Sequence, residues 1–244
     1  MSAPALQIRN LQKSYAGTAV LENLSLDIAA GDFFGLVGAN GAGKTTLIKC
    51  ALDFCDIQDG AIHLFGVPHR QTTARSRLAF LPERFVPPYY LNGRDFLHYT
   101  AELHRRTYDE RRAITTLHAL ELDIAALDKP VRTYSKGMTQ KLGLAACLLS
   151  DKDLLILDEP TSGLDPKARA LLKRELKTHH AAGRTVLMTS HALHDVGEMC
   201  SRMAVIHHGR LHYAGTPAAF MTAYGAADLE QAYLACVAEP APSQ

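Results

Sequence analysis

The chain has 244 residues, 47% of them hydrophobic, which is enough to bury a sizeable core. Its 26 lysines and arginines balance 25 aspartates and glutamates, so it lacks the basic excess of a dedicated nucleic-acid binder. The five cysteines form no CxxC pair, which argues against a zinc site or a disulfide framework. We expect a folded protein with reduced, mostly buried thiols and no nucleic-acid partner.

The first residues, MSAPALQIRNLQKSY, lack a basic region followed by an apolar core. The longest apolar runs, such as LGLAACLL, are far too short to cross a bilayer. The sequence therefore predicts a soluble, cytoplasmic chain. We interpret residues 1–237 as a single domain, followed by a flexible Pro-containing tail over residues 238–244.

Residues 6 to 37 contain three strand-like pieces, LQIRNL, AVLENLSLDI and FFGLV, separated by turns at Ala16-Gly17 and Ala30-Gly31. We interpret them as an N-terminal β layer. The third piece runs into GANGAGKTT and then into the helix-period segment LIKCALDFC. Strand, glycine-rich loop and helix in this order are typical of a phosphate-binding loop.

From about residue 85 to residue 149 the pattern becomes helical, as in GRDFLHYTAELHRR and KGMTQKLGLAACLL. The strand-like runs LLIL, RTVLMTS and RMAVIHHGRLHYAG then alternate with the helical PKARALLKRELKTHHAAG and HALHDVGEMC. This βαβ order predicts an α/β fold with a helical insertion.

The glycine-rich loop matches GxxxxGK[ST] from Gly38 to Thr45. The glycines would let backbone amides face phosphates, Lys44 would reach the β and γ phosphates, and the Thr45 hydroxyl would ligate Mg²⁺. The predicted contact residues are Gly38, Ala39, Asn40, Gly41, Ala42, Gly43, Lys44, Thr45 and Thr46. A chance glycine-rich turn is the alternative, and the motif alone indicates only a nucleoside triphosphate.

The segment LLILDEP predicts a buried strand that ends in two carboxylates, Asp158 and Glu159. Asp158 fits a Mg²⁺ ligand, and Glu159 fits the base that polarises an attacking water. An acidic surface turn is the alternative. The presence of the phosphate loop in the same chain makes this alternative the weaker one.

A second anion-binding helix start lies in VRTYSKGMTQKLGLAACLL. Ser135 can cap the helix, Gly137 lets the backbone approach closely, and the helix dipole is positive at this end. Taken alone, the stretch is better explained as a plain capped amphipathic helix, and the phosphate loop and the LLILDEP strand are what favour the anion-binding interpretation.

Tyr15, GANGAGKTT, YSKGM, LLILDEPTSGLD and TSH occur in this order, and together they resemble the nucleotide-binding subunit of an ABC transporter of the exporter-like, ABC-2 type group. The resemblance covers nearly the whole chain. It implies a P-loop NTPase of RecA-like α/β core, with an N-terminal antiparallel β subdomain and an inserted α-helical subdomain over about residues 85–149. The implied ligands are ATP and Mg²⁺.

The resemblance also implies roles for particular residues. Tyr15 would stack on adenine, although an ordinary strand-end tyrosine is the alternative. His191 would be the switch histidine, and the catalytic residues would be Glu159, His191 and Lys44. Asp165 would lie in the loop that couples two subunits, or would simply begin a helix.

In this family the YSKGM position contacts the γ-phosphate of ATP held by another subunit. Ser135 and Gly137 would therefore serve a partner's nucleotide, so the resemblance implies a head-to-tail dimer. We expect a homodimer, and a heterodimer of two different cassettes is the alternative. The chain departs from the family at Glu83, where glutamine is usual; a carboxylate can still ligate Mg²⁺. It also departs at Lys136 and Met138, and whether Lys136 faces a partner's nucleotide or solvent stays open.

The resemblance implies an ATP hydrolase that is peripheral on the cytoplasmic face of the membrane and drives a separate integral membrane permease. We expect the permease to dock near Phe85 to Phe96, where RFVPPYYLNGRDF combines prolines with aromatics. An ordinary loop that packs on its own helical subdomain is the alternative. Export is the expected direction. The alternatives are a soluble ABC ATPase acting in assembly or repair, and a P-loop kinase or GTPase, which would leave YSKGM and His191 unexplained.

Overall fold

The structure is a computed structural model, and it describes residues 3–238. Its strands are β1 (Leu6–Tyr15), β2 (Thr18–Ile28), β3 (Phe33–Val37), β4 (Asp59–Leu64), β5 (Val67–Pro68), β6 (Leu78–Leu81), β7 (Leu154–Leu157), β8 (Thr185–Ser190), β9 (Arg202–His207) and β10 (Arg210–Gly215).

Its α-helices are α1 (Lys44–Ala51), α2 (Gly93–Leu103), α3 (Glu110–Ala119), α4 (Lys136–Leu149), α5 (Pro166–Ala181), α6 (Leu193–Met199), α7 (Pro217–Ala223) and α8 (Leu229–Ala238). Short 3₁₀ helices span Thr72–Arg77, Ile124–Ala126 and Val131–Thr133.

The chain divides into two compact units. The first unit combines Met1–Arg77 with Thr185–Gln244, and the second unit is Leu78–Arg184. The first unit contains an antiparallel sheet in the order β2-β1-β4-β5. Its β1–β2 hairpin turns at Ala16 (φ 47°) and Gly17 (φ 83°), and two successive residues with positive φ match the right-handed twist of the flanking strands.

The first unit also contains the parallel strands of the fold. β3 pairs in parallel with β8 and β9, and β10 returns antiparallel to β9. All five residues of β3 are buried, because the strand is covered on both faces. The interpretation of FFGLV as part of the N-terminal layer is therefore wrong: its apolar run is continuous, whereas β1 and β2 alternate more nearly between buried and exposed residues.

In the second unit β6 and β7 pair in parallel, with Leu81 opposite Leu157. Helix α4 packs against α2, α3 and β6. Its central and later turns are buried over Leu142–Leu148, whereas its first turn is partly exposed. The α/β fold class with antiparallel β strands and a set of helices is confirmed by this arrangement.

Some elements lie outside the sequence predictions. RMAVIHHGRLHYAG is not one strand but the β9–β10 hairpin, which reverses at His208 (φ 46°) and Gly209 (φ 74°). Strands β4 and β5 and helices α7 and α8 were not predicted. The predicted tail was placed to begin at Ala238, which instead ends α8, and residues 239–244 lie outside the described residues.

Candidate functional site

The phosphate-loop motif connects β3 to α1 and forms a tightly packed turn. A side chain at Gly38 would clash with the carbonyl oxygen of Ile206. Gly43 has φ 110°, and a Cβ there would lie 2.8 Å from a methyl carbon of Leu21. Gly41 has φ 81° but faces open space. The first and last of these glycines thus let the loop pack closely, and the middle one lies on its open side.

Lys44 begins α1 and is only 7% exposed. Its Nζ donates to the carbonyl oxygens of Gly38 at 2.6 Å and Ala39 at 3.2 Å. The ammonium group therefore lies across the loop, held by oxygen atoms of the loop itself. Residues 39–41 and Thr45 are exposed, so the outer face of the turn is open to a ligand.

The β9–β10 hairpin supports the loop from behind. The backbone N–H of Gly209 donates to the carbonyl oxygen of Ala42 at 3.1 Å, and Gly209 packs against the backbone of Val20. Sequence reasoning missed this contact, although the glycine after His207-His208 is an ordinary turn signal.

His191 follows β8 and is exposed. Val37 and Ser190, the last residues of β3 and β8, are opposite each other in the parallel pairing. The phosphate loop and His191 therefore leave the same edge of the sheet, the carboxyl edge at which α/β folds bind ligands. The Ser190 hydroxyl accepts a hydrogen bond from the Ala192 N–H at 3.0 Å and helps fix the turn that carries His191.

Tyr15 ends β1 and is 43% exposed. The Lys13 Nζ lies 4.6 Å from its ring centroid, a cation–π distance, and donates to the carbonyl oxygen of Asp56 at 2.6 Å. A hydrogen bond with the Cys55 side chain, followed by burial, raises the pKa of Tyr15 to about 12, while a hydrogen bond with Thr46 acts in the opposite direction. The structure thus brings Tyr15 to the first turn of α1.

The acidic residues of the second unit leave one edge of the β6–β7 pair. The Asp158 N–H donates to the carbonyl oxygen of Leu81 at 2.9 Å, which aligns the two strand ends. Asp158 is 2% exposed and Glu159 is 7% exposed, whereas Glu83, two residues beyond β6, is exposed. Glu159 has φ 49°, a strained conformation for a residue other than glycine and one that often marks functional positions.

No group of three or more histidines, cysteines, aspartates or glutamates within residues 3–238 is arranged to hold a metal ion by itself. Mg²⁺ is commonly held by one or two carboxylates together with substrate phosphates and water. The buried oxygens of Asp158 fit such partial coordination.

The helix start at Ser135 has the predicted cap. The Ser135 hydroxyl accepts from the Met138 N–H at 3.2 Å, and a Cβ at Gly137 would meet no atom within 4 Å. Packing against the residues that the structure describes therefore does not require glycine at position 137. The side chain of Lys136 lies against Gly163, so in this structure it contacts its own chain.

Asp165 caps α5, with its carboxylate accepting from the Ala168 N–H at 2.9 Å. This hydrogen bond lowers the pKa of Asp165. The helix-start role is thus observed, and the coupling role stays a prediction.

The segment from Phe85 to Phe96 divides into packed and exposed parts. The rings of Phe85 and Phe96 meet edge to face at 5.6 Å, and Phe85 also packs against Gly143. Val86, Tyr89 and Tyr90 are 82%, 70% and 74% exposed. The two end residues of the predicted docking segment therefore stabilise the second unit, and its middle is the part available to a partner.

A strand, a glycine-rich loop, a buried lysine and a helix define the class of P-loop nucleoside triphosphatases. The family model for ABC transporters matches residues 21–162. The Nod factor export ATP-binding protein I of Sinorhizobium fredii is 38% identical over 238 residues, covering 94% of this chain and 68% of the relative. The protein of the same name from Burkholderia orbicola is 34% identical over 240 residues, covering 96% and 78%.

A solved ATP-binding subunit of an ABC transporter superposes with a TM-score of 0.87 at 28% identity, covering 95% of this chain and 99% of that one. A dimeric ATP-binding cassette with bound ADP and Pi shares the fold with a TM-score of 0.79 at 19% identity, covering 86% and 98%. The chain belongs to the family of ABC transporter ATP-binding subunits, and export proteins are among its relatives. None of the helices between residues 3 and 238 has the length and apolar character needed to span a membrane.

Proposed function

We propose that this chain hydrolyses ATP as one of two cassettes that drive a separate membrane permease for export. The observation that carries the proposal is Lys44, buried across a phosphate loop that leaves the same sheet edge as His191. The Lys44 ammonium group donates to carbonyl oxygens of the loop and could exchange them for phosphate oxygens, because a charged phosphate is the stronger hydrogen-bond acceptor.

The residues fit Mg²⁺ and a triphosphate. The packed glycines at positions 38 and 43 hold the loop, and its open face at Gly41 leaves room for phosphate oxygens. Thr45 and Asp158 would hold Mg²⁺, with Glu83 as a further oxygen ligand. The ion would neutralise charge that develops on the phosphate oxygens.

Glu159 and His191 would act on the attacking water. The Glu159 carboxylate, held by the turn after β7, would accept a hydrogen bond from the water and orient it, and the His191 ring would donate to a γ-phosphate oxygen. Tyr15 would stack on adenine, where its 43% exposure leaves a ring face for contact.

Dimerisation would give the helix start at Ser135 and Gly137 a role beyond the cap that is formed within one chain. The open backbone at Gly137 and the capped helix start at Ser135 are suited to a phosphate brought by a second copy. Asp165 would lie near that interface. The fold shared with a dimeric cassette supports this proposal.

The permease would dock on the exposed middle of the aromatic segment. Val86, Tyr89 and Tyr90 are each at least 70% exposed, and the rings of Tyr89 and Tyr90 meet edge to face at 5.6 Å. Tyrosine is enriched at protein interfaces. The names of the relatives support export, and the chain would then be peripheral on the cytoplasmic face of the membrane.

The proposal is tested by the rate of phosphate release with ATP or GTP. Lys44→Ala should reduce release from ATP by at least about a hundredfold, the scale for removing one preorganised charge from a transition state. Lys49→Ala is the matched control, because Lys49 lies on the same helix with an exposed side chain. Equal rates for Lys44→Ala and Lys49→Ala would contradict the proposed role of the loop, and a GTP preference would favour the GTPase alternative.

Association with a permease is tested by affinity purification of the full chain from detergent-solubilised native membranes. Mass spectrometry then identifies the proteins that co-purify with it. A stoichiometric protein with several membrane spans is expected. Only soluble partners, with the chain absent from membranes, would instead support a soluble ABC ATPase acting in assembly or repair.

A further inference from the structure

Two cysteines five residues apart are brought together by the end of α1. Beyond the helix Asp53 has φ 61°, the Phe54 N–H donates to the Lys49 carbonyl at 2.8 Å, and the Asp53 N–H donates to the Cys50 carbonyl at 3.1 Å. These two bonds are those of the Schellman motif, which turns the chain back on its last helical turn. As a result the Sγ atoms of Cys50 and Cys55 lie 3.6 Å apart.

The cysteine pair is connected to the tyrosine proposed to hold adenine. The Tyr15 side chain is close enough to that of Cys55 for Cys55 to be the main cause of its raised pKa. The next residue, Asp56, accepts from Lys13, whose ammonium group also lies over the Tyr15 ring. The Gln58 side chain accepts from the Ser14 N–H at 2.8 Å. The segment that begins at Cys55 is therefore bonded at several points to the strand end that carries Tyr15.

We propose that Cys50 and Cys55 form a redox-responsive dithiol whose disulfide displaces Tyr15 and weakens nucleotide binding. A disulfide needs an S–S distance of about 2.05 Å, so oxidation must draw the two sulfur atoms together. Cys50 is fixed in a buried helical turn, whereas Cys55 is half-buried in the following segment. The Cys55 segment must therefore move, and its bonds to Lys13 and Ser14 would transmit this movement to the strand end that carries Tyr15.

The oxidant required is a low-molecular-weight disulfide. The Cys55 thiolate attacks one sulfur atom of this small disulfide, which gives a mixed disulfide and releases one small thiol. Cys50 loses its proton to water and attacks the Cys55 sulfur, releasing the second thiol. Two protein thiols are oxidised and one small disulfide is reduced to two thiols.

Burial, followed by the hydrogen bond with Cys55, raises the pKa of Cys50 to about 12, so the second step should accelerate with rising pH. Burial also raises the pKa of Cys147 and Cys200 to about 12, and both lie inside the protein. Cys236 is buried as well. The partly accessible Cys55 is therefore the expected point of entry.

The inference rests on the proposed ATP site and is tested on the full chain with oxidised glutathione. Peptide mass mapping should find Cys50 joined to Cys55. The dissociation constant for ATP should rise at least about fivefold, the lower end of typical coupling between sites, and dithiothreitol should restore it. By reciprocity, saturating ATP should shift the dithiol–disulfide equilibrium towards the dithiol by the same factor.

Cys55→Ser and Cys55→Ala are the control variants, with folding checked by circular dichroism. Their ATP affinity should not respond to oxidised glutathione. The inference is overturned if no Cys50–Cys55 linkage forms, if the oxidised chain binds ATP as tightly as the reduced one, or if the variants lose affinity equally. Failure of the reduced wild-type chain to bind ATP would instead refute the proposed function, and it would be seen before any oxidant is added.

Discussion

Asp151 is the acidic centre of a charge cluster at the end of the helix that Ser135 begins. It lies between α4 and β7, and its carboxylate accepts from Arg112 at 2.5 and 2.6 Å and from Arg184 at 2.9 Å, with Arg106 at 3.7 Å. The hydrogen bonds and charge of Arg112, with smaller contributions from Arg184 and Arg106, lower the pKa of Asp151 from 3.8 to about 2. Its side chain is 18% exposed, so solvent screens these interactions only in part.

Asp151→Asn removes the charge but keeps the shape, and asparagine tolerates the φ of 54° at this position. A shift of almost two pKa units corresponds to about 2 kcal/mol of stability at pH 7. Because the pKa is lower in the folded state, this contribution is complete above about pH 4 and is lost as the pH falls towards 2, with roughly half remaining near pH 3.

Urea unfolding of wild type and Asp151→Asn at pH 7, 4 and 3 measures this difference. At pH 7 the free energy of unfolding should fall by about 2 kcal/mol. In a separate thermal melt of a chain of this size, that loss lowers the midpoint by roughly 4–8 °C. Asp128→Asn is the matched control, because Asp128 also bonds an arginine, Arg94, but its side chain is 68% exposed, so its loss should cost less than about 1 kcal/mol. Equal losses for the two variants, or a loss at Asp151 that does not shrink between pH 4 and pH 3, would refute the reasoning.

Three further variants, one of them a double substitution, test the candidate functional residues. Gly137→Ala should leave stability unchanged or raise it by up to about 1 kcal/mol, since the position is open and helical, yet reduce ATP hydrolysis at least about tenfold; unchanged hydrolysis would contradict the contact with a partner's nucleotide. Gly38→Ala should abolish ATP binding, because its Cβ would clash with Ile206, and calorimetric titration with ATP would check this. Replacing Tyr89 and Tyr90 by serine should change stability by less than about 0.5 kcal/mol and spare hydrolysis while reducing transport in reconstituted vesicles; normal transport would exclude this docking surface.

The sequence was most informative where function depends on local order along the chain. The phosphate loop, the acidic end of LLILDEP and the Ser135 cap could each be read from a few neighbouring residues, and the structure gives each the expected local setting. The Cys50–Cys55 contact could not be read in this way, because it depends on the left-handed backbone at Asp53.

Contacts between distant segments were also hidden in the sequence. The hydrogen bond from the Gly209 N–H to the Ala42 carbonyl joins residues that are far apart in the chain. The sequence does not decide whether Lys136 faces a partner's nucleotide or solvent. Its contact with Gly163 depends on tertiary structure and could not be predicted from neighbouring residues. Burial similarly divides the aromatic segment: its end residues Phe85 and Phe96 pack against each other, while Val86, Tyr89 and Tyr90 in its middle are exposed. Composition alone does not distinguish an aromatic residue that packs inside its own domain from one that is exposed and contacts a partner.

The central claim is that two copies of this chain close on ATP. Sedimentation velocity of Glu159→Gln, with and without ATP and Mg²⁺, tests it most directly, since blocking hydrolysis should trap the closed state. The control is the same protein carrying Lys44→Ala as well. The account predicts a dimer only for Glu159→Gln with ATP; a monomer at saturating ATP and high protein concentration, or a dimer in the Lys44→Ala control, would contradict it.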